Sequence, residues 1–182
     1  MTAPRAVEPD APPGLEIRRE VPGDEAAVHR LNALAFGQPA EAELVDALRD
    51  AGAATLSLVA VRGGEVIGHI LFSPVTVEPP SAEARAVGLA PMAVLPGLQR
   101  GGIGSALVRA GLAILRDEGH GVVVVLGHPE YYPRFGFAPG SAFGLRCEYE
   151  APEGVFRVLE LRPGALGGRR GLVRYRPEFR AV

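Results

Sequence analysis

Between Ala86 and Leu126 the chain passes through three segments whose order leaves little freedom in how it can fold. Ala86 to Leu95 is largely apolar and reads as a strand, and Gln99 to Gly104 is a glycine-rich turn. Ile103 to Glu118 then carries apolar residues at helical spacing, with Ile103, Leu107, Ala110 and Ile114 on one stripe and Ser105, Arg109 and Arg116 on another. Gly119 ends this helix, and Val122 to Leu126 follows as an unbroken β-branched run of the kind buried on both faces of a sheet. Strands joined through a helix pair in parallel. A parallel step is therefore expected in the middle of the sheet.

The flanking segments carry different signals. Leu15 to Arg18 alternates apolar and polar residues, and Pro22-Gly23-Asp24 marks a turn into a helix over Glu25 to Phe36 that buries Val28, Leu31, Leu34 and Ala35. A second helix over Ala40 to Arg49 is expected to bury Leu44, Val45 and Leu48. Thr55 to Val61 and Val66 to Val77 flank Arg62-Gly63-Gly64-Glu65, the Gly-Gly signal of a tight antiparallel hairpin. Glu78 to Arg85, with its Pro79-Pro80-Ser81, reads as an exposed connection. A short helical turn is expected near Glu130 to Phe135. Phe143 to Tyr149, Val155 to Leu161 and Leu172 to Tyr175 are expected strands, the last two separated by a Pro163 to Gly171 loop. The expected fold is a mixed α/β domain over residues 15–182, preceded by a disordered, Pro-rich tail over residues 1–14.

The turn before the long helix has a chemical meaning. The first N–H groups of a helix have no intrahelical acceptor and carry the positive end of its dipole, so they bind phosphate groups. Gly101, Gly102 and Gly104 have no Cβ where a ligand would touch the main chain, and Arg100 adds a positive charge beside them. The spacing alone also fits a tight turn with no ligand. A Walker A loop is excluded because no Gly-Lys pair follows the glycines, and a dinucleotide fingerprint because Leu107 stands where its third glycine belongs. Upstream, Pro91 cannot donate to a neighbouring strand, so the sheet is expected to bulge or open there. Peptide groups of Met92, Ala93 and Val94 would then be free to pair with an amide-rich ligand such as pantetheine.

Composition narrows the alternatives. Nineteen basic and 21 acidic residues leave no positive field for nucleic acid, and no apolar run approaches a membrane span. Cys147 is the only cysteine, which rules out an internal disulfide or a thiolate cluster and suits a cytoplasmic protein. Four scattered histidines suggest no metal site.

Gln99-x-x-Gly102-x-Gly104, after a strand and before a helix, resembles the acetyl-coenzyme A signature of the GNAT superfamily of N-acetyltransferases. Tyr132-Pro133-Arg134-Phe135-Gly136-Phe137 is similar to the Tyr-x-x-x-Gly-Phe segment of the same fold. Gly68 to Val75 together with Gly127 to Tyr132 looks like its YhbS-type subgroup. The chain departs from the usual pattern at Gly127-His128-Pro129-Glu130, where many members have an Asn and a small residue. The resemblance implies a central mixed sheet of about seven strands whose fourth and fifth strands, Ala86 to Leu95 and Val122 to Leu126, splay apart around acetyl-CoA. It implies that Met92, Ala93, Val94, Gln99, Arg100, Gly101, Gly102, Ile103, Gly104, Ser105 and Tyr132 bind this co-substrate. An oxyanion-stabilising N–H is expected at Val94, and Tyr132 near the sulfur as proton donor to the leaving thiol.

On this reading the partners are acetyl-CoA and an amine that attacks the thioester directly. His69, Glu78, Glu130 and His128 are the candidate bases, each with a structural alternative. Cys147 reads as a plain buried thiol. A non-catalytic acyl-CoA-binding sensor or scaffold is the alternative from another class, and a nucleotide-binding α/β domain a third. A final strand over Leu172 to Tyr175 is expected to be exposed and able to pair with a second copy as a homodimer.

Overall fold

The computed structural model describes residues 12–78, 85–168 and 170–182. Its elements are β1 (Glu16–Arg19), α1 (Glu25–Phe36), α2 (Ala40–Asp50), β2 (Leu56–Arg62), β3 (Glu65–Pro74), β4 (Thr76–Glu78), β5 (Ala86–Val94), α3 (Ile103–Asp117), β6 (Val122–Leu126), β7 (Ala138–Pro139), β8 (Leu145–Cys147), β9 (Phe156–Glu160) and β10 (Gly171–Arg174). Residues 1–11 of the expected tail over residues 1–14 and the centre of the Glu78 to Arg85 connection lie outside the described residues, as does residue 169 of the Pro163 to Gly171 loop. Residues 12–14 form a turn, closed by the Leu15 N–H donating to the Pro12 carbonyl at 3.2 Å.

Seven strands form one mixed sheet in the order β1-β2-β3-β5-β6-β9-β7, and β4-β10-β8 form a smaller one. The β2–β3 hairpin turns at Gly63 and Gly64, whose φ angles of 58° and 82° belong to the left-handed region that such turns demand. The β5–β6 pair is the parallel step, and it is short: Ala86, Val87 and Gly88 pair with Val122, Val123 and Val124, and the ladder ends there. On its other edge β5 stays paired to β3 as far as Val94, with an extra residue inserted where Ile70 faces Met92 and Phe72 faces Leu89. Pro91 sits in that bulge, as its missing N–H predicts.

Each face of the large sheet buries its own core. Helix α3 covers one face, with Ile103, Leu107 and Leu115 fully buried on the same side as Ile70, Phe72 and Leu89. Its buried stripe runs through Ile103, Leu107, Gly111 and Leu115, while Ala110 and Ile114, expected to belong to it, are only half-buried. Glycines set the distance between helix and sheet. A Cβ on Gly111 would lie 2.5 Å from the Phe72 ring, and one on Gly68 would lie 3.0 Å from Ile103 Cγ2. Helices α1 and α2 and the small sheet cover the opposite face, where Val28, Leu44, Val45 and Leu48 meet Val59 and Leu71. Leu34, expected inside, is 56% exposed, and Asn32 is buried in its place.

Two further expectations are corrected. Phe143 to Tyr149 is a strand only over Leu145–Cys147, because Gly140 to Phe143 form a 3-10 turn that Gly144 ends at φ 67°. Gly140 lies against the Phe156 ring, 2.4 Å from where its Cβ would be, so this stretch follows the ring and not a neighbouring strand. Likewise β10 is not an exposed edge. It pairs with β4 on one side and β8 on the other, so the route to a homodimer through Leu172 to Tyr175 is closed.

A chain of polar groups ties α1 to the sheet. Asn32 Nδ2 donates to the Val28 carbonyl (2.9 Å) and reaches His69 Nδ1 (3.1 Å), and His69 Nε2 lies 2.9 Å from Ser57 Oγ, which bonds to Glu20. Arg49 holds the other Glu20 oxygen at 2.6 Å. Burial, reinforced by the Arg49 charge, pushes the His69 imidazole down to about 3, so His69 is neutral in the folded protein near pH 7. With its folded value below the ordinary 6.5, the unfolded chain binds a proton that the folded chain refuses, and stability is lost as pH falls from about 6.5 towards 3. Urea denaturation should show a loss of about 2 kcal/mol between pH 7 and pH 5, which His69→Gln abolishes. A wild-type stability that is flat over that interval would contradict a buried neutral His69.

Candidate active site

Where β5 and β6 part, α3 points its first turn at the opening. Ile103 packs on Gly68, and Gly68 faces Val94 in the β3–β5 ladder, so the helix starts level with the end of β5. The first intrahelical bond runs from the Ala106 N–H to the Gly102 carbonyl at 3.0 Å, which leaves the N–H groups of Ile103, Gly104 and Ser105 without an intrahelical acceptor. Gly102, the N-cap, has no side chain to bond them, and no acidic residue stands in the first turn. Arg100 at φ 62° and Gly102 at φ 84° both take the left-handed conformation that brings the chain round into the helix. The result is a helix terminus whose donors and dipole are uncompensated by the protein itself. Gln99 braces the loop by donating from Nε2 to the Val94 carbonyl at 3.2 Å.

The peptide groups of β5 divide between its two edges. Leu95 donates to Ile67 at 3.0 Å, and strict alternation along an antiparallel ladder makes His69 and Ala93 the next hydrogen-bonded pair. Met92 and Val94 therefore turn their main-chain groups away from β3, towards the opening. Ala93, expected to offer a free peptide group with them, commits its main chain to His69 instead.

Two tyrosines close the far side. Tyr132 is buried in the 3-10 turn Tyr132–Phe135, its ring edge-on to Tyr131 (5.1 Å between centroids) and Phe137 (5.5 Å). It rests directly on the main chain of Gly127, where a Cβ would lie 2.2 Å from its Cε2. Burial raises its phenol above the ordinary value, so it remains a protonated donor at neutral pH. Tyr131, which the sequence reading passed over, reaches the helix head: its hydroxyl lies 3.2 Å from Ser105 Oγ, and its ring is 4.6 Å below the Arg134 guanidinium. A Cβ on Gly104 would meet Tyr131 Oη at 3.2 Å and Met92 Cε at 3.6 Å. The Gly127 to Tyr132 segment that carries the resemblance includes both tyrosines, but no spacing rule gives Tyr131 a role.

The other candidates scatter. Glu78 is on β4, its Oε1 held by Arg174 Nε at 2.6 Å, and Glu130 and His128 are exposed beyond the end of β6. His69 has partners on both ring nitrogens, which leaves neither for a substrate. The Cys147 thiol is raised by burial and accepts from the Tyr149 N–H at 3.4 Å, the setting of an unreactive sulfur. No group of acidic, histidine or cysteine side chains suited to a metal occurs among the described residues. No helix described is long and apolar enough to cross a membrane.

Because Tyr132 and Gly127 are in direct contact, Gly127→Ala should move the ring by about an ångström or more while the fold survives. A near-ultraviolet circular dichroism spectrum altered in its tyrosine bands, with the far-ultraviolet spectrum retained, is the expected outcome. An unchanged tyrosine signal would show that the contact does not hold the ring.

Residues 16–140 match the acetyltransferase (GNAT) domain family. The chain is 41% identical over 164 residues to the uncharacterized N-acetyltransferase YhbS of Escherichia coli strain K12, covering 90% of this chain and 97% of that one. Its fold is similar to the crystal structure of E. coli YhbS in complex with CoA, with a TM-score of 0.88 at 40% identity over 94% of each chain. It is also similar to a GNAT acetyltransferase from Brucella melitensis in complex with acetyl-CoA, with a TM-score of 0.75 at 39% identity, covering 91% of this chain and 97% of that one. The chain is a member of the GNAT family of acetyltransferases.

Proposed function

We propose that residues 15–182 transfer the acetyl group of acetyl-CoA to a primary amine of a small molecule or protein by direct attack on the thioester. The observation that carries this reading is the uncapped head of α3 opening onto the gap where β5 leaves β6. In it, Gln99 to Ser105, with the side chain of Arg100, receive the pyrophosphate: Gly101, Gly102 and Gly104 admit it, and the N–H groups of Ile103, Gly104 and Ser105 donate to it. Met92 pairs with the pantetheine amides, Val94 turns its N–H to the thioester oxygen while its carbonyl is held by Gln99, and Ala93 packs beside them. That related chains form complexes with CoA and acetyl-CoA supports the same occupant here. The balanced charge and the lone Cys147 favour a cytoplasmic setting.

As the amine nitrogen bonds to the carbonyl carbon, negative charge grows on the carbonyl oxygen, and the fixed Val94 N–H stabilises it without reorganising. The carbon–sulfur bond then breaks, the Tyr132 hydroxyl delivers its proton to the departing sulfur, and the proton that the amine gives up to solvent is balanced by one that solvent returns to Tyr132.

Thiol release from acetyl-CoA, measured with polyamines, amino acids, aminoglycosides and lysine peptides, tests the reading. Turnover of at least one amine is expected, and Tyr132→Phe should lower kcat by about tenfold or more while leaving the acetyl-CoA Kd within about twofold. An unchanged kcat removes Tyr132 from the reaction. Tight acetyl-CoA binding without turnover of any amine would make the chain a sensor or scaffold.

A further inference from the structure

Beside the head of α3, arginines and aromatic rings form one stack. The Arg134 guanidinium carbon lies 4.6 Å from the Tyr131 ring centroid, Tyr131 meets Phe135 edge-on at 5.3 Å, and the Arg109 guanidinium lies 5.6 Å from the Phe135 centroid. The rings thus make a shelf with a guanidinium over each. The ring faces attract the cations and restrain side chains that would otherwise sample many rotamers. One end of the shelf is fastened to the helix by Tyr131 Oη, 3.2 Å from Ser105 Oγ. The other end is Arg109, which stands on α3 one turn after Ser105, about 6 Å farther along the same stripe.

Both rings pack partly on the core, but the core gives no reason for the cations. Arg134 is exposed, and among the described residues it pairs with no carboxylate. The first turn of α3 holds no acidic residue either. Positive charge from Arg100, the helix terminus and the shelf therefore gathers at one corner of a chain whose formal net charge is -2. Such a corner suits a ligand with more than one anionic group.

Coenzyme A is such a ligand. Its diphosphate is matched by the uncapped N–H groups of α3 and by Arg100, and its pantetheine arm leaves through the gap between β5 and β6. Gly104 marks the border of that gap, because a Cβ there would meet Met92 Cε at 3.6 Å on one side and Tyr131 Oη at 3.2 Å on the other. The adenosine arm leaves the far end of the diphosphate, outward from the gap, and the shelf lies outward of Tyr131 Oη with Arg134 in solvent.

We propose that the shelf binds the 3′-phosphate of coenzyme A, with Arg134 and Arg109 donating to its oxygens. This rests on the acetyl-CoA reading above, in which the α3 head holds the diphosphate. A phosphate monoester carries a charge of about −1.5 to −2 at neutral pH, and a guanidinium fork matches a pair of its oxygens. Tyr131 and Phe135 are positioning residues that keep the forks in place before the ligand arrives.

Calorimetric titration with coenzyme A and with dephospho-coenzyme A, which keeps the diphosphate and lacks only the 3′-phosphate, tests this at one fixed ionic strength. The wild-type chain should bind coenzyme A about tenfold more tightly than the dephospho form. Arg134→Gln changes an exposed side chain, so the fold is not at stake; it should weaken coenzyme A by about fivefold and leave dephospho-coenzyme A within about twofold. Equal wild-type affinity for the two ligands overturns the shelf while leaving the acetyl-CoA reading intact. So does an Arg134→Gln variant that weakens neither ligand, or both alike, since the charge would then act on the diphosphate. A wild-type chain that binds neither ligand overturns the acetyl-CoA reading and the shelf with it.

Discussion

Pairing between β5 and β6 stops after three residues, and the rest of the candidate site follows from that early divergence. Beyond Gly88 the β6-facing edge of β5 has no strand partner, so the main-chain groups of Met92 and the Val94 N–H face an opening, while the Val94 carbonyl accepts from Gln99. Unpaired peptide groups inside a protein are costly, so such an edge persists only where something else uses it. The bulge at Pro91 contributes to the same end, since a residue with no N–H weakens the ladder where the strand bends.

Glycines translate that opening into a site. Gly68 and Gly111 let α3 lie close against β3, which brings its first turn level with Val94, and Gly102 leaves that turn without a side-chain cap. Gly127 does the equivalent on the other side, accepting the Tyr132 ring on its main chain. In each case a missing Cβ fixes a distance between two elements. The opposite face is built differently, with a directional polar chain from Arg49 to Asn32 crossing an otherwise apolar interface.

Much of this was legible in the sequence where the signal is local. Helical spacing marked α1, α2 and α3 to within about a residue, the Gly63-Gly64 pair marked the hairpin, and the valine run marked β6. The glycines before Ile103 marked the helix head because their chemistry depends only on the residues beside them. What sequence could not supply was long-range. The strands of the small sheet are three or four residues long and owe their existence to distant partners, so local pattern extends a strand over all of Phe143 to Tyr149 and does not show that β10 is a central strand. Leu34 and Asn32 exchanged places because a helical stripe read from apolar residues alone has no way to admit a buried amide whose partner, His69, is 37 residues away. Tyr131 was missed because its link to Ser105 spans 26 residues.

The central claim is that the head of α3 and the unpaired edge of β5 bind the cofactor through the main chain. Titrating 15N-labelled protein with coenzyme A, and following the backbone amide resonances by nuclear magnetic resonance, examines it directly. The account predicts that the amides of Gly102, Ile103, Gly104 and Ser105 shift most, together with those of Met92 and Val94, and that all saturate at one common Kd. Saturable binding that leaves these six amides in place while others move would contradict it.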